Sequence, residues 1–406
     1  MLKFLTTFFS LFSVSNNLNE NKQNFELGVS TSAFQIESSY NRSQTIWDDF
    51  IKKKKLSDIN NGPLHDLKYE EDFKIMKDLG IKEYRFSFSW ARFLEEEGNN
   101  GIQLYSDIIR TMKNYEIEPC VTLFHWDVPS KFQNDETIKG FETQNIIPHF
   151  LEYADKVFEN FHNDVKCWIT INEPYTFVKI GYEYGHHAPG KYSKQLSLKV
   201  KQNLLKTHIE TYKLFHKKYN DGVVSISLNS DWVDCSNNEI KEKELDEMIG
   251  SYVSVVIDHM DYFALNHYTT KFFDKNGNLI TYNLKFPIHS ASSWLYYYPR
   301  GFRNLLNWLE ETFELNRKNL SVRITESGWS SYNEIHDSDR IMYLRNYIEE
   351  AKLSNVNITH YYVWSFLDNF EWDKGFNERF GLIYIDFNSK DKSRKLKDSI
   401  KWLFSN

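Results

Sequence analysis

The chain has 406 residues, of which 41% are hydrophobic, and its formal net charge at pH 7 is −7. This length suits either two average domains or one large barrel, and the apolar fraction is ample for a core. The acidic balance excludes the basic surface that nucleic-acid binding requires, so we expect no nucleic-acid partner.

The N-terminal segment MLKFLTTFFSLFSVSNN places one lysine before an apolar stretch that is followed by small and polar residues. This order is typical of a secretory signal peptide, which we predict over residues 1–17. The stretch is too short to span a bilayer, and we expect no transmembrane segment. Sequons at Asn41, Asn319 and Asn357 are compatible with a secreted glycoprotein. We predict a secreted or lumenal protein, with a cytoplasmic location as the alternative.

Eight short runs rich in β-branched or aromatic residues recur along the chain. In order they are ELGVSTSA (26–33), EYRFSFSWA (83–91), EPCVTLFHW (118–126), CWITINEP (167–174), VVSISLNSDW (223–232), DYFALNHYT (261–269), SVRITESGW (321–329) and THYYVWSFLDNF (359–370). Amphipathic segments lie between most of them, for example YEEDFKIMKDLG, YADKVFENFH and LLKTHIETYKLFHKKYNDG. The alternation predicts an α/β fold, a single (β/α)₈ TIM barrel over residues 25–406. A doubly wound open sheet is the alternative, but the first turn lacks its glycine-rich sequence.

Each predicted strand becomes polar at its C-terminal end. In a barrel these ends lie on one face, where active sites are built. The aromatic content of 17% fits either a large core or a cleft lined with platforms for the apolar faces of sugars or other ring-bearing ligands. For the second to the eighth predicted strand these polar ends are Ser89–Arg92, His125–Asp127, Asn172–Glu173, Asn229–Asp231, Asn266–Tyr268, Glu326 and Asp368–Asn369.

Two of these ends carry glutamates, Glu173 and Glu326, which are either structural caps and ion pairs or a facing catalytic pair. In the second strand Arg85 alternates with aromatic residues, so its guanidinium is predicted to point into the barrel and pair with a carboxylate such as Glu326. An ionised carboxylate facing a protonated one is what glycosidic cleavage needs. A separation of about 5–5.5 Å makes a retaining enzyme, and a wider one an inverting enzyme.

The three cysteines, Cys120, Cys167 and Cys235, show no metal-binding spacing, so we expect neither a metal site nor a disulfide framework. Cys120 and Cys167 begin apolar runs and are predicted to be buried free thiols. Nothing in the sequence indicates a cofactor.

The motifs resemble those of the family 1 glycoside hydrolases, the β-glucosidase and lactase-like group, from about residue 27 to the C-terminus. The matching stretches are GVSTSAFQIE, IWDDF, YRFSFSWAR, VTLFHWDVP, WITINEP, GYEYGHHAPG, LNHYTT, ITESGW, VWSFLDNFEWDKGFNERFGLIYIDF and KDSIKWL. The resemblance implies that Glu173 is the general acid/base and Glu326 the nucleophile of a retaining β-glycosidase. It implies that Arg85 and Tyr268 orient the nucleophile. The sugar-binding residues that it implies are Gln35, His125, Asn172 (at the 2-hydroxyl), Tyr268, Trp364 (the stacking floor), Glu371, Trp372 and Phe380 (near the 6-position).

Residue type alone leaves these assignments open, since His125, Trp364, Trp372 and Phe380 also suit a core and Gln35 also suits a loop cap. The resemblance further implies a non-proline cis peptide at Trp364–Ser365. Glu371 would repel a phosphate, which favours unphosphorylated glucose, or else galactose or fucose, as the sugar.

The places where the chain departs from the family pattern include the nucleophile motif and the connection between strands five and six. The nucleophile motif reads Glu-Ser-Gly instead of Glu-Asn-Gly, and the connection between strands five and six, residues 232–261, is much shortened. We expect the barrel to close, since a crossover needs only about a dozen residues. The aromatic loop from Lys271 to Arg300 is predicted to rim the leaving-group site; an unspecialised surface loop is the alternative.

Two further functions stay open on the sequence alone. One is a klotho-like glycan- or receptor-binding protein with weak or no catalysis, for which the shortened connection is the best argument. The other is transglycosylation on the same covalent intermediate, with a sugar or alcohol in place of water.

Overall fold

The structure is a computed structural model that describes residues 23–94, 99–281, 285–332 and 334–404. The predicted signal peptide at residues 1–17 lies outside these ranges. The strands of the described part are β1 (Glu26–Ser30), β2 (Glu83–Ser87), β3 (Glu118–Phe124), β4 (Cys167–Asn172), β5 (Val223–Asn229), β6 (Trp232–Asp234), β7 (Phe263–Asn266), β8 (Thr270–Phe272), β9 (Val322–Ser327), β10 (Ile358–Trp364), β11 (Ile383–Ile385) and β12 (Arg394–Leu396).

Eight of these strands pair in parallel and close into a barrel in the order β1–β10–β9–β7–β5–β4–β3–β2. Each of the eight predicted runs overlaps one barrel strand, so the predicted (β/α)₈ TIM barrel is confirmed. The chain crosses from strand to strand through helices, as parallel pairing demands. They are α1 (Ala33–Ile36), α2 (Ile46–Lys54), α3 (His65–Asp78), α4 (Gly101–Asn114), α5 (Ser130–Asn134), α6 (Ile146–Phe161), α7 (Pro174–Val178), α8 (Lys194–Lys218), α9 (Asn238–Leu245), α10 (Ser251–Val256), α11 (Pro299–Phe313), α12 (Ser338–Lys352) and α13 (Asp398–Phe404).

The core between strands and helices is built by the outward faces of the strands. Trp168 of β4 points outward and packs edge-to-face on Phe158 of α6, with ring centroids 5.1 Å apart. Both side chains are fully buried. Such aromatic packing fixes each helix on the barrel wall and so fixes where the following loop begins.

The shortened connection between β5 and β7 still forms helices. It folds into β6, α9 and α10, and Leu245, Ile249 and Val253 are fully buried against the core. In addition, β6 pairs in parallel with β8 to form a small sheet outside the barrel. The barrel therefore closes without the longer segment. Among the described residues, no helix is long and apolar enough to cross a membrane.

The prediction that Cys120 and Cys167 are free thiols is wrong, because the two form a disulfide. They are register partners on the adjacent strands β3 and β4, with Cα atoms 4.5 Å apart, which is within bonding reach. The separation of 47 residues along the chain conceals this neighbourhood in the sequence. Cys235 remains free.

Asp368, which follows β10, anchors the loop that returns to the barrel mouth. Its carboxylate accepts hydrogen bonds from Lys397 Nζ (2.7 Å), Arg379 (2.8 Å) and the Gly381 amide (3.0 Å). We expect Asp368→Asn to cost about 3–5 kcal/mol of unfolding free energy, because two cations would stay buried without their counter-charge. Urea unfolding measures this loss. The control is Asp78→Asn, whose partner Lys74 is exposed; an equal loss in both variants would contradict the prediction.

Candidate active site

A cavity of about 540 Å³ opens at the C-terminal ends of the barrel strands. Two predicted site residues, Gln35 and Arg85, are not part of its lining and lie behind it. The predicted residues that do line it are His125, Asn172, Glu173, Tyr268, Glu326, Trp364, Glu371, Trp372 and Phe380. The structure therefore brings the sequence-predicted residues to one place.

Glu326 lies near the end of β9 and is held by two donors. The fully buried guanidinium of Arg85 forms an ion pair with its Oε1, as predicted. The hydroxyl of Tyr268 donates to Oε2 at 2.7 Å. Burial and the neighbouring charge of Glu326 raise the pKa of Tyr268 well above its usual value, so this hydroxyl keeps its proton. Both contacts stabilise a negative charge on Glu326 and aim the carboxylate.

Glu173 lies where β4 turns directly into α7. Its backbone is left-handed, with φ 43°, and Pro174 occupies the first position of the helix. Its Oε1 accepts a hydrogen bond from Asn266 Nδ2 at 2.7 Å. Burial, and then the charge of Glu326, raise the pKa of Glu173 to about 8. At neutral pH this carboxyl therefore carries a proton that it can give away.

Asn172 connects the two carboxyl environments. Its Oδ1 accepts hydrogen bonds from Arg85 (2.6 Å) and Asn266 (3.2 Å), so its Nδ2 is the donor to His125 Nε2 at 3.1 Å. Burial, and then Arg85, lower the pKa of His125 well below its usual value. A neutral ring that accepts at Nε2 carries its hydrogen on Nδ1, which is buried without a partner among the described residues.

Aromatic rings and a carboxyl line the cavity on the far side of His125. The imidazole stacks with Trp364 at 5.7 Å and with Trp372 at 6.0 Å between ring centroids. Gln35 donates to Oε2 of Glu371 at 3.4 Å from behind. Burial, and then Glu378, raise the pKa of Glu371 well above its usual value. The cis peptide at Trp364–Ser365 is present, as expected.

The cavity is also lined by residues to which the sequence-based prediction gave no role. Asn266, which braces Glu173, lies at a polar strand end and was detectable there. Lys271 and Trp294 of the loop predicted to rim the site both line the cavity. Trp126, Asn229, Ser230, Asp231 and Asn266 belong to the polar strand ends predicted on this face but were given no role of their own. The lining residues that the sequence did not place at the site are Tyr175, Thr176, Ile180, His186, His187, Asp373, Lys374 and Glu378. No group of three metal-ligating side chains occurs among the described residues.

Gly328 has no side chain, and the backbone of Trp364, the last residue of β10, therefore packs directly against it. A Cβ at this position would lie 1.8 Å from the backbone oxygen of Trp364, which cannot move without displacing the strand end. We expect Gly328→Ala to lower kcat/KM on a β-glycoside by about 10²-fold, since small misplacements at a site cost this much. Steady-state kinetics measure the loss.

The control for this variant is Gly80→Ala. Gly80 has φ 72° and no atom within 4 Å of an added Cβ, so only its backbone conformation is strained. This change should cost about 1 kcal/mol of stability and leave kcat/KM unchanged. Unchanged kinetics in Gly328→Ala would show that the approach to Trp364 is not critical.

The pair of carboxyls supports a defined chemistry. Glu173 is buried and protonated, Glu326 faces a guanidinium, and both border a cavity with aromatic walls. Such a pair can protonate a departing oxygen while the carboxylate attacks or stabilises the carbon left behind.

Comparison with known proteins agrees with this chemistry. The model of "Glycosyl hydrolase family 1" matches residues 18–252 and 250–405. Its two pieces meet inside the shortened connection between β5 and β7. The chain is 32% identical over 463 residues to the furostanol glycoside 26-O-beta-glucosidase of Hellenia speciosa, covering 93% of this chain and 81% of that protein.

Two other proteins match over nearly their whole length. Beta-glucosidase A of Acetivibrio thermocellus is 30% identical over 440 residues, with 94% of this chain and 96% of that protein covered. The solved structure of a rice β-glucosidase variant in covalent complex with glucose has a TM-score of 0.83 and 27% identity, covering 93% of this chain and 96% of that chain.

Proposed function

Since the chain belongs to glycosyl hydrolase family 1 and is a glycoside hydrolase, we propose that it is a retaining β-glycosidase. Its substrates would be O-linked β-D-glycosides, cleaved through a covalent glycosyl–enzyme intermediate. The observation that carries this proposal is the contrast between the two carboxyls. Glu326 faces Arg85 and Tyr268, whereas Glu173 is buried with a pKa raised to about 8 and receives one amide donor.

In the first step, Glu326 attacks the anomeric carbon and Glu173 gives its proton to the departing glycosidic oxygen. This forms the ester between sugar and Glu326 and releases the alcohol. In the second step Glu173, now a carboxylate, takes a proton from water, which attacks the same carbon and frees Glu326. Two displacements at one carbon retain the β configuration.

The surrounding residues would bind the sugar. The amide of Asn172 adjoins both Arg85 and Asn266, which suits a contact with the 2-hydroxyl between the two carboxyls. Trp364 and Trp372 offer stacking surfaces for the ring, and Phe380 closes the wall near the 6-position. Glu371 and Glu378 border the cavity, and neither carboxyl offers a phosphate a positive charge. We therefore propose an unphosphorylated sugar, glucose or else galactose or fucose.

A relative supports the covalent step, since the rice β-glucosidase variant was solved in covalent complex with glucose. The test is proton NMR of the sugar released from an aryl β-glycoside, together with the mass of enzyme treated with a 2-deoxy-2-fluoro glycoside. We expect the β anomer first and a mass increase of one fluorosugar on the peptide of Glu326. The α anomer first, or no labelling, would contradict retention.

The same assay separates the alternatives that the sequence left open. A folded protein without turnover on any glycoside would favour the klotho-like binding protein. The described residues give this alternative no support, since both carboxyls border the cavity. Oligosaccharide products at high acceptor concentration would reveal transglycosylation.

We also propose that the protein is a secreted or lumenal glycoprotein. Disulfides such as Cys120–Cys167 persist in oxidising compartments. The sequon asparagines Asn41, Asn319 and Asn357 are all exposed. Expression in a eukaryotic secretory host should give protein in the medium whose mass falls after enzymatic removal of N-glycans. Cytoplasmic retention with reduced cysteines would support the alternative location.

A further inference from the structure

A chain of hydrogen bonds links the surroundings of the two carboxyls, and each amide in it has a single possible orientation. The chain begins at Arg85, whose guanidinium donates to Oδ1 of Asn172 at 2.6 Å. A guanidinium has no acceptor, so the atom that faces it must be the oxygen of the Asn172 amide. Asn266 approaches the same Oδ1 at 3.2 Å and must therefore present its Nδ2. The orientation of one amide thus sets the orientation of the next.

With its Nδ2 fixed in this way, Asn266 turns its amide oxygen toward two hydroxyls. Its Oδ1 accepts from Thr325 Oγ1 at 2.6 Å and from Ser227 Oγ at 2.9 Å, and the two hydroxyl oxygens are 2.7 Å apart. Ser227 lies on β5, Asn266 ends β7 and Thr325 lies on β9, three neighbouring strands of the barrel. All three side chains are buried, so the amide oxygen takes its hydrogen bonds from these hydroxyls instead of from solvent.

The amide nitrogen of Asn266 also meets Glu173. It donates to Oε1 of this carboxyl at 2.7 Å. A carboxyl oxygen that accepts from an N–H is a poor position for the hydrogen of the acid itself, so that hydrogen belongs on Oε2. If the amide were turned over, its oxygen would face Oε1 and accept a hydrogen bond from the protonated carboxyl. The hydrogen needed by a departing oxygen would then be held inside the protein.

We propose that Ser227 and Thr325 are positioning residues for the proton transfer by Glu173, and that they act through Asn266. The two hydroxyls hold the amide so that its N–H faces Oε1. This arrangement keeps the transferable hydrogen on Oε2 and supports the carboxylate once the hydrogen has left. Neither hydroxyl belongs to the lining of the cavity, so neither is placed to touch the substrate. The inference rests on the proposed function, in which Glu173 is the general acid/base.

The amide donor also affects the charge of Glu173. A donor at Oε1 favours the carboxylate, so the hydrogen bond from Asn266 lowers the pKa that burial raises. Loss of this hydrogen bond should therefore raise the pKa further. Thr176 is a second side chain that hydrogen-bonds to the carboxyl. The charged and titratable groups around it on neighbouring elements are Glu326, Arg85, Tyr268 and Glu371, and all of them stay in place when the two hydroxyls are removed.

The test is the double variant Ser227→Ala/Thr325→Val, which removes both hydroxyls and keeps the volume of the threonine. Values of kcat/KM are measured against pH for octyl β-glucoside, whose leaving group needs a proton, and for 2,4-dinitrophenyl β-glucoside, whose leaving group does not. We expect a loss of about tenfold or more on the octyl glucoside and of less than about threefold on the dinitrophenyl glucoside. The alkaline decline on the octyl glucoside should move upward by about half a pH unit or more.

Two controls separate positioning from a general loss of structure. Thr325→Ser keeps the hydroxyl and should restore the pH profile and the leaving-group dependence of the wild type. Thr122→Val makes the matching substitution at a buried threonine of β3 whose hydroxyl has no partner among the described residues. It should leave both the pH profile and the leaving-group dependence unchanged.

Equal losses on the two substrates, or an alkaline decline that stays in place or moves downward in the folded double variant, would overturn the inference. Failure of the proposed function gives different results: no turnover of either substrate by the wild type, or an alkaline decline that persists in Glu173→Gln. Circular dichroism and thermal unfolding verify the fold. If the double variant does not fold, Thr325→Val alone is measured, and the same outcomes decide.

Discussion

Replacing Glu326, the proposed nucleophile, with glutamine should lower kcat on every β-glycoside by about 10⁴-fold or more, because the proposed covalent route needs this carboxylate. The loss should not depend on how good the leaving group is. Steady-state kinetics measure it, and circular dichroism with thermal unfolding verifies that the variant is folded, since Arg85 would lose its buried counter-charge.

A structural role for Glu326 would also reduce activity, so chemical rescue separates the two. In Glu326→Gly, azide can enter the vacated space and attack the anomeric carbon from the face that the carboxylate used. The product should be the α-glycosyl azide, formed by a single displacement. Formation of the β-glycosyl azide, or a residual kcat within about tenfold of wild type in Glu326→Gln, would exclude the nucleophilic role.

Replacing Glu173 with glutamine should have an effect that depends on the leaving group. We expect kcat/KM to fall by about 10²- to 10⁴-fold for alkyl and sugar leaving groups, which need a proton, and much less for dinitrophenolate, which does not. A panel of aryl glycosides graded by leaving-group pKa measures the slope. Azide rescue of Glu173→Gly should give the β-glycosyl azide, the opposite anomer to that expected for Glu326→Gly.

The pH profile provides the second test of Glu173. Burial and Glu326 raise the pKa of Glu173 to about 8, and only the protonated form can act as the acid. Values of kcat/KM for the wild type should therefore fall as the pH rises through about 8. An amide does not titrate, so this alkaline decline should be absent in Glu173→Gln. Its persistence there would assign the proton to another group.

The fold could be predicted because strand alternation and helical periodicity are local patterns that can be read directly from the sequence. Alternation in the second strand predicted that Arg85 points inward, and the structure pairs it with Glu326 as expected. The predicted ends were less accurate: the run 83–91 leaves the barrel at Ser87, and Trp90–Arg92 forms a short helical turn. Tertiary packing sets where a strand leaves its sheet, and propensity does not.

Contacts between distant segments were harder to predict. The Cys120–Cys167 disulfide depends on the register between β3 and β4. The ion pair between Asp231 and Lys271 depends on the small sheet formed by β6 and β8, which no pattern in the sequence predicted. The general position of the site was predictable because parallel strands all end on one face. The side of the cavity lined by Asp231 and Lys271 was predictable only in part: the loop that begins at Lys271 was placed at the site, but its contacts depend on turns whose paths are set by the helices packed beneath them.

The pairing of Arg85 with Glu326 also constrains how the protein is made. The two residues are 241 positions apart, and β10, which closes the barrel against β1, comes later still. At about 5–20 residues per second, a ribosome needs roughly 10–50 s to supply Glu326 after Arg85. During that time the guanidinium has no anion from β9. The proposed catalytic centre therefore assembles only after β9 and β10 have been made, and N-terminal fragments released before then would contain the proposed proton donor without the proposed nucleophile.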